Sequence, residues 1–514
     1  MKIAILGAGF AGIATARTLS ALNHQVTVFE SESEVGGVWA SSRRYPGLCT
    51  QNPGDTYHFS EIPLPKDYPE WPSGEQMQAY IQSCVAQFGL NHLIRLETRV
   101  EQVSYNDEHR KWTLHTASSS NVNEPKEEHE GFDFLVIANG IFSQPNVPAF
   151  AGEERWLNAG GKLLHTSELI DLEQARDKDV LVLGYGKSSC DAACAASKVS
   201  RHTTVVTRHV IWKIPRKIAG VINFKHLFLT RLGEGLFPWA KLKGFDSFIH
   251  GRGKPLRNLL LAGLQKIIES QFKLRERGLH PNKPLESVAR TSVSLATNGF
   301  FEAVATGDIR VARETTIEQL TPGKALLSNG DTVDTDLIIA GTGFRQTVPV
   351  LPPAMMNRLL NEDEDFMLYR GILPIDIPGL AFIGYNSSLM CPLICEASAM
   401  WLAEYLRGGI NLPAKEDMQT RIEDRLAFHK NRMDGNYFHG TYLVPFSIRP
   451  IDELLDDIDL NVGQLEKGKQ WLRHVKPTAY AHNYQVLQQR AAITSQSAPV
   501  GSEPYAESTQ QGSG

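Results

Sequence analysis

What this 514-residue chain lacks narrows its roles. It has no run of roughly 18 to 20 apolar residues, so no segment is long enough to cross a bilayer as a helix. Its six cysteines contain no C-x-x-C and no metal-ligand spacing, so no metal site is expected. Cys190/Cys194 and Cys391/Cys395 lie four apart and read as thiols along helices, which suits a reducing, cytoplasmic compartment. The net charge of −5 is mild and gives no platform for nucleic acid. No basic leader precedes the first apolar run, which reads as the opening strand of a βα unit rather than a signal peptide. Residues 494–514 are rich in Ser, Gln, Gly and Pro with little to bury, and read as a disordered tail.

Two glycine turns are what the chain does have. Gly7-Ala8-Gly9-Phe10-Ala11-Gly12 follows the apolar run Ile3-Ala4-Ile5-Leu6, and Gly184-Tyr185-Gly186-Lys187-Ser188-Ser189 follows Val180-Leu181-Val182-Leu183. In each, a strand hands over to a helix, glycine allows the tight bend, and the helix N-terminus offers unpaired N–H groups to a pyrophosphate. The two differ in charge. Glu30 lies 23 residues beyond Gly7, and Arg208 lies 24 residues beyond Gly184, each at the end of the next expected strand. A carboxylate there accepts hydrogen bonds from ribose hydroxyls, whereas an arginine there suits a ribose 2′-phosphate. The first turn therefore predicts an FAD-type site and the second an NADPH-type site. In the second, Ser189 stands where a third glycine is usual.

The fold class expected is α/β, with two Rossmann-like dinucleotide-binding domains, the NADPH domain inserted into the FAD domain. Residues 1–155 form the first part of the FAD domain. Ser73 and Gln76 make a capping box for a helix running to about Phe88, strands follow near 95–105 and 111–116, and 117–130 reads as a surface loop. Residues 156–324 form the NADPH domain. The chain then crosses back to the FAD domain over 325–450, with a helix from about Glu396 to Arg407, and 451–493 add a helical extension. Residues 213–278 carry 14 Lys/Arg against 4 Asp/Glu among apolar residues. That stretch suits a helical insertion with solvated charges, or a peripheral membrane or substrate-entry element.

Further motifs, in order, resemble those of the class B flavin-dependent monooxygenases, the family of FMO-type N- and S-oxygenases and Baeyer–Villiger enzymes. Gly36-Gly37-Val38-Trp39 resembles the family's GGxW stretch along the FAD, and Phe59-Ser60-Glu61 through Asp67-Tyr68-Pro69 resembles an FMO-type segment. Val100 matches the strand whose backbone meets the adenine. Ala138-Asn139-Gly140 and Asp336 through Phe344, with Thr342, resemble the two links between domains, and Arg208, Trp212 and Arg216 reproduce an FMO-type NADPH pattern. The family fingerprint falls on Ala159, Gly161, His165 and Leu169, keeping the glycine and histidine but neither aromatic. The missing aromatic at 169 tilts the reading from Baeyer–Villiger oxidation toward heteroatom oxygenation. His165 is assigned no chemistry. The family's flavin-facing amide falls on Gln51 or its neighbour Asn52.

The resemblance implies an NADPH- and O2-dependent enzyme that places one oxygen atom in a small organic substrate through a C4a-hydroperoxide of the flavin. Two readings from other classes stay in view. An FAD disulfide reductase needs a second cysteine beside Cys49, which the local sequence does not supply. A non-catalytic redox sensor would need only the two binding turns.

Overall fold

The computed structural model describes residues 1–118, 127–289, 294–433 and 446–497. Ten strands build two parallel sheets. In chain order they are β1 (Lys2–Leu6), β2 (Gln25–Phe29), β3 (Ile94–Arg95), β4 (Phe134–Ile137), β5 (Lys162–His165), β6 (Asp179–Leu183), β7 (His202–Thr207), β8 (Arg310–Arg313), β9 (Leu337–Ala340) and β10 (Leu380–Phe382). The first sheet has the order β10-β4-β1-β2-β3 and the second β8-β7-β6-β9-β5. β1 sits between its neighbours with Ile5 opposite Val28 and Val136, and β6 places Leu181 opposite Thr204 and Ile338. Ile3, Ala4, Ile5, Val180, Leu181 and Val182 are all buried, as expected where helices or hairpins cover both faces of a parallel sheet.

Four helices matter for the site and its surroundings: α1 (Phe10–Ser20), α2 (Lys187–Ala196), α3 (Lys254–Gln271) and α4 (Cys391–Leu406). α1 follows β1 through the first glycine turn and packs along α4; α2 follows β6 through the second. The Ser73–Gln76 capping box forms in full, with Gln76 N–H donating to Ser73 Oγ at 3.3 Å and Ser73 N–H to Gln76 Oε1 at 3.0 Å.

Sheet membership corrects the boundary expected at residue 325. Leu337–Ala340 hydrogen-bonds to β6 and β5, so it closes the second sheet, and the chain crosses back only at Gly341 to Phe344. The segment 117–130 is also less loop than expected. A strand runs through Ser118, another resumes at Glu127–Phe132, and 119–126 lie outside the described residues. α4 begins at Cys391 rather than near Glu396, because Pro392 fits the first helical turn where its missing N–H costs nothing. The expected extension forms helices Arg449–Asp457, Gln464–Gln470 and His482–Ser497. The last of these takes in 494–497 of the expected disordered tail, and 498–514 lie outside the described residues.

Candidate functional site: two anion-binding turns and the amides between them

The first turn is shaped by backbone that tolerates no side chain. Gly7 has φ +108°, and a Cβ there would lie 2.6 Å from the Ala138 carbonyl oxygen; one on Gly12 would lie 1.8 Å from the Gly7 oxygen. These approaches seat α1 tightly against β1 and aim its N-terminus out of the sheet. Gly9 caps α1 without a side-chain hydrogen bond, and no acidic residue stands in the first turn, so the helix's free N–H groups and positive end are unanswered by side chains. Beside it, the Ala8 N–H donates to Glu30 Oε2 at 2.7 Å and the Glu32 N–H to Oε1 at 3.0 Å, which fixes the buried carboxylate at the end of β2.

Gly37-Val38-Trp39 forms one 3-10 turn against Gly9, with the Gly36 N–H on the Ala8 oxygen at 3.0 Å. A Cβ on Gly37 would lie 3.2 Å from Gly9 Cα. Val38 is left exposed, while Trp39 is buried edge-on to Tyr57, with ring centres 5.9 Å apart. Val100 is half-buried on the strand Thr98–Asn106, beside a bulge.

The second turn repeats the plan. Gly184 has φ +111°, and Gly186 caps α2 with neither a side-chain bond nor an acid in the first turn. Ser189 occupies the third-glycine position by turning its hydroxyl to the Gly341 oxygen, 3.2 Å away. Ser188 is half-buried at the mouth. Arg208 is exposed just past β7, with no ion-pair partner among the described residues. Lys187 departs from expectation. Its ammonium pairs with Asp191 one turn along α2, and Asp191 also receives Tyr45 Oη at 3.0 Å, so Lys187 is drawn away from the turn.

Between the turns stand the amides. Gln51 Oε1 accepts the Leu295 N–H at 3.3 Å, tying the first unit to the second. Asn52 is buried; its Nδ2 donates to the Leu389 oxygen at 2.8 Å, while its Oδ1 has no hydrogen-bond partner among the described residues. A buried acceptor left open is costly unless a ligand fills it. The R-x-x-x-W-x-x-x-R residues separate in space. Arg208 stays on the second unit and Trp212 is core. Arg216 reaches the first unit, donating to Cys49 Sγ at 2.8 Å and lying 5.0 Å over the Trp71 ring.

The two links between units pair with each other, Phe344 opposite Pro145 and Arg345 opposite Gln144. Thr342 Oγ1 donates to the Asn146 oxygen. His165 is buried against the link, with its ring 4.6 Å from that of Phe344. Its Nδ1 accepts the Ser167 N–H at 3.1 Å, so Nε2 carries the proton it gives to the Gly343 oxygen at 3.0 Å. Burial pushes its pKa down, consistent with a structural, neutral ring.

Two groups escaped the sequence. Lys213 is buried beneath the second turn, its ammonium donating to the Tyr185 carbonyl and to Ser294 Oγ; burial pushes its pKa down. Its signals were adjacency to Trp212 and its place at the start of the basic stretch 213–278, neither of which points to burial. Glu396, on α4, accepts the Ser60 N–H at 2.9 Å and Ser60 Oγ at 3.0 Å, and burial pushes its carboxyl up to about 7.

The residues fit a dinucleotide at each turn: two uncapped helix N-termini, a fixed carboxylate at one strand end, a free guanidinium at the other, and an open amide oxygen between. Comparisons with known proteins agree. The chain matches the family described as flavin-binding monooxygenase-like over residues 1–459. It is 26% identical over 497 residues to the probable flavin-containing monooxygenase 1 of Arabidopsis thaliana, covering 90% of this chain and 92% of that one. Among solved structures it resembles S-allyl-L-cysteine S-oxygenase from Allium sativum, with a TM-score of 0.60 at 19% identity over 96% of this chain and 98% of that one. It also resembles NADP+-bound cyclohexanone monooxygenase from Rhodococcus sp. Phi1, with a TM-score of 0.65 at 17% identity over 89% and 97%. Both likenesses show the shared two-unit fold. The chain belongs to the flavin-binding monooxygenase-like family and is a flavin-dependent oxidoreductase of that class.

Proposed function

We propose that this enzyme uses FAD at the first turn and NADPH at the second to insert one oxygen atom of O2 into a small organic substrate, at a soft nitrogen or sulfur. The observation that carries the reading is the pair of uncapped helix N-termini followed by opposite charges, Glu30 and Arg208. The α1 turn (Gly7 to Gly12) holds the FAD pyrophosphate, and Glu30 accepts from the adenosine ribose. Val100 borders the adenine, and Gly37-Val38-Trp39 lines the chain of the cofactor. Gly184, Gly186, Ser188 and Ser189 hold the NADPH pyrophosphate, and Arg208 takes the 2′-phosphate. Asn52 Oδ1 accepts an N–H from the flavin or the nicotinamide. Gln51 and Arg216 act across the junction, each tied to the opposite unit.

When bound, the flavin supplies the hydride acceptance and oxygen chemistry. The chain's own residues orient the two cofactors and exclude water, with Trp39, Tyr57 and Phe10 packing edge to face behind the first turn. Heteroatom oxygenation rather than Baeyer–Villiger oxidation is favoured by Leu169, a fully buried core residue where the Baeyer–Villiger pattern has an aromatic. The six cysteines stand as free thiols, which supports a reducing, cytoplasmic setting, and 213–278 gives peripheral contact with a membrane. Among the described residues no helix is long and apolar enough to cross one.

The test is direct. The purified protein carries FAD, NADPH bleaches it without air, and O2 restores the colour with one product oxygen per NADPH from an amine or thioether. A ketone converted to an ester in preference to either would overturn the heteroatom assignment. Absence of FAD would overturn the whole reading.

A further inference from the structure

A lysine at the first residue of a helix stands beside the free N–H groups that attract an anion, and Lys187 opens α2 in that position. Its ammonium is already engaged. The side chain is 8% exposed and pairs with the Asp191 carboxylate, 4% exposed, one turn along the helix. Two more donors reach the same carboxylate: Thr297 Oγ1, and Tyr45 Oη at 3.0 Å. Tyr45 belongs to the first unit, where it follows the Gly37–Trp39 turn. It is buried, and burial and then the Asp191 charge push its phenol well above the ordinary value, so it keeps the proton it donates. The segment carrying Thr297 is fixed nearby, with the Leu295 N–H on Gln51 Oε1 at 3.3 Å and Ser294 Oγ accepting from Lys213.

Charge decides what this cluster does. A buried ammonium needs an anion, and Asp191 provides one within the chain, so the Lys187–Asp191 pair is neutral as a unit. The second turn therefore meets a dinucleotide through its helix N–H groups and the exposed Arg208, while Lys187 is already matched. The same carboxylate reaches across to Tyr45, and this bond joins α2 directly to the first unit. Binding energy that only tightens a ground state does not speed a reaction step, whereas fixed alignment of the reacting groups does.

We propose that Asp191 is a positioning residue for the second turn: it withholds Lys187 from the dinucleotide phosphates and ties α2 to Tyr45, so that the site gives up affinity for NADPH and gains a fixed placement against the first unit. This rests on NADPH as the occupant of the second turn. The two effects come from one carboxylate but separate by mutation, because Lys187 carries the first and Tyr45 the second.

The experiment compares the full-length, FAD-loaded parent with Asp191→Asn, Tyr45→Phe, and Lys187→Gln combined with Asp191→Asn. Two quantities are read: the dissociation constant for NADP+ by calorimetry, and the anaerobic rate of flavin bleaching at saturating NADPH. Asp191→Asn keeps the shape of the side chain and removes the anion, so the buried ammonium lacks a partner until a phosphate arrives. NADP+ binding tightens about tenfold, as one charge-assisted contact is gained. Damage to the fold would weaken binding instead, so the gain is the signature. The double variant is neutral again, and its NADP+ affinity returns to within about twofold of the parent. Tyr45→Phe deletes only the bond between units. Its NADP+ affinity is that of the parent, and bleaching at saturation slows at least about fivefold. If Asp191→Asn fails to fold, the double variant takes its place, because it buries no lone charge; a Lys187 that touches the phosphates in the parent would cost it about tenfold in affinity. Unchanged or weaker NADP+ binding in a flavin-loaded Asp191→Asn, a double variant weakened about tenfold, or a Tyr45→Phe variant that bleaches at the parent rate overturns the proposal. A parent that carries FAD yet binds neither NADP+ nor NADPH strikes the reading of the second turn, and the proposal with it.

Discussion

Arg208→Ala isolates the charge that separates the two turns. The guanidinium stands past the end of β7, exposed and with no ion-pair partner among the described residues. No described residue loses a bond when it is removed, so the variant's stability stays close to that of the parent. Charge-assisted hydrogen bonds contribute about 1.5 to 3 kcal/mol, and exposure places this one at the lower end. A loss of about 1.5 kcal/mol corresponds to roughly tenfold in affinity. The 2′-phosphate exists on NADPH and not on NADH, so the loss falls on one cofactor only. The assay is the anaerobic rate of flavin bleaching against the concentration of each nucleotide. Half-saturation for NADPH rises about tenfold and that for NADH is unchanged. The gap between parent and variant narrows with added salt, because the Debye length is only about 10 Å at 0.1 M. Equal weakening of both nucleotides, or of neither, would refute the assignment. Arg216 makes a poor substitute target, because its guanidinium is committed to Cys49 and Trp71.

Gly12→Ala places a Cβ 1.8 Å from the Gly7 oxygen, so the first turn cannot close, and the purified variant carries little FAD by its absorbance ratio. Asn52→Leu removes the open buried acceptor and shifts the bound flavin's absorbance spectrum; Gln51→Leu, whose amide is occupied by Leu295, leaves that spectrum unchanged. Glu396, with its pKa raised above the ordinary glutamate value to about 7, binds a proton in the folded state that the unfolded state has already released. Stability therefore falls as pH rises from about 4.5 to 7, by up to about 3 kcal/mol, and the fall is complete above it. Thermal melts of Glu396→Gln between pH 5 and 8 lack that component, and an unchanged pH slope would show that Glu396 is not its source.

The strands, turns and charge pairing were legible because each is local. Ile3 to Gly12 and Val180 to Ser189 carry their own apolar runs, bends and caps, and Ser73 with Gln76 closes a box within four residues. What the sequence withheld depends on distant partners. Leu337–Ala340 ends in glycine like a strand returning to the first sheet, yet the edge offered by β6 is the one it joins. Glu127–Phe132 looks too polar for a strand until its partner Lys111–Ser118 provides a ladder. Lys187 reads as a phosphate ligand from its place in the turn, and only the fold reveals that it gathers with Tyr45 and Thr297 on the Asp191 carboxylate. Gln51 and Asn52 are equivalent in sequence, and it is the placement of Leu295 and Leu389 that makes them different.

The pairing of Gln144–Pro145 with Phe344–Arg345 has a mechanical consequence. Two tethers fixed side by side by backbone hydrogen bonds act as one ribbon, so a slide of either unit past the other would have to break it. The His165 ring, bonded to the Gly343 oxygen, braces one of the two strands. The ribbon thus couples the two glycine turns mechanically, and severing one of its strands would leave each turn intact while loosening the orientation of one toward the other.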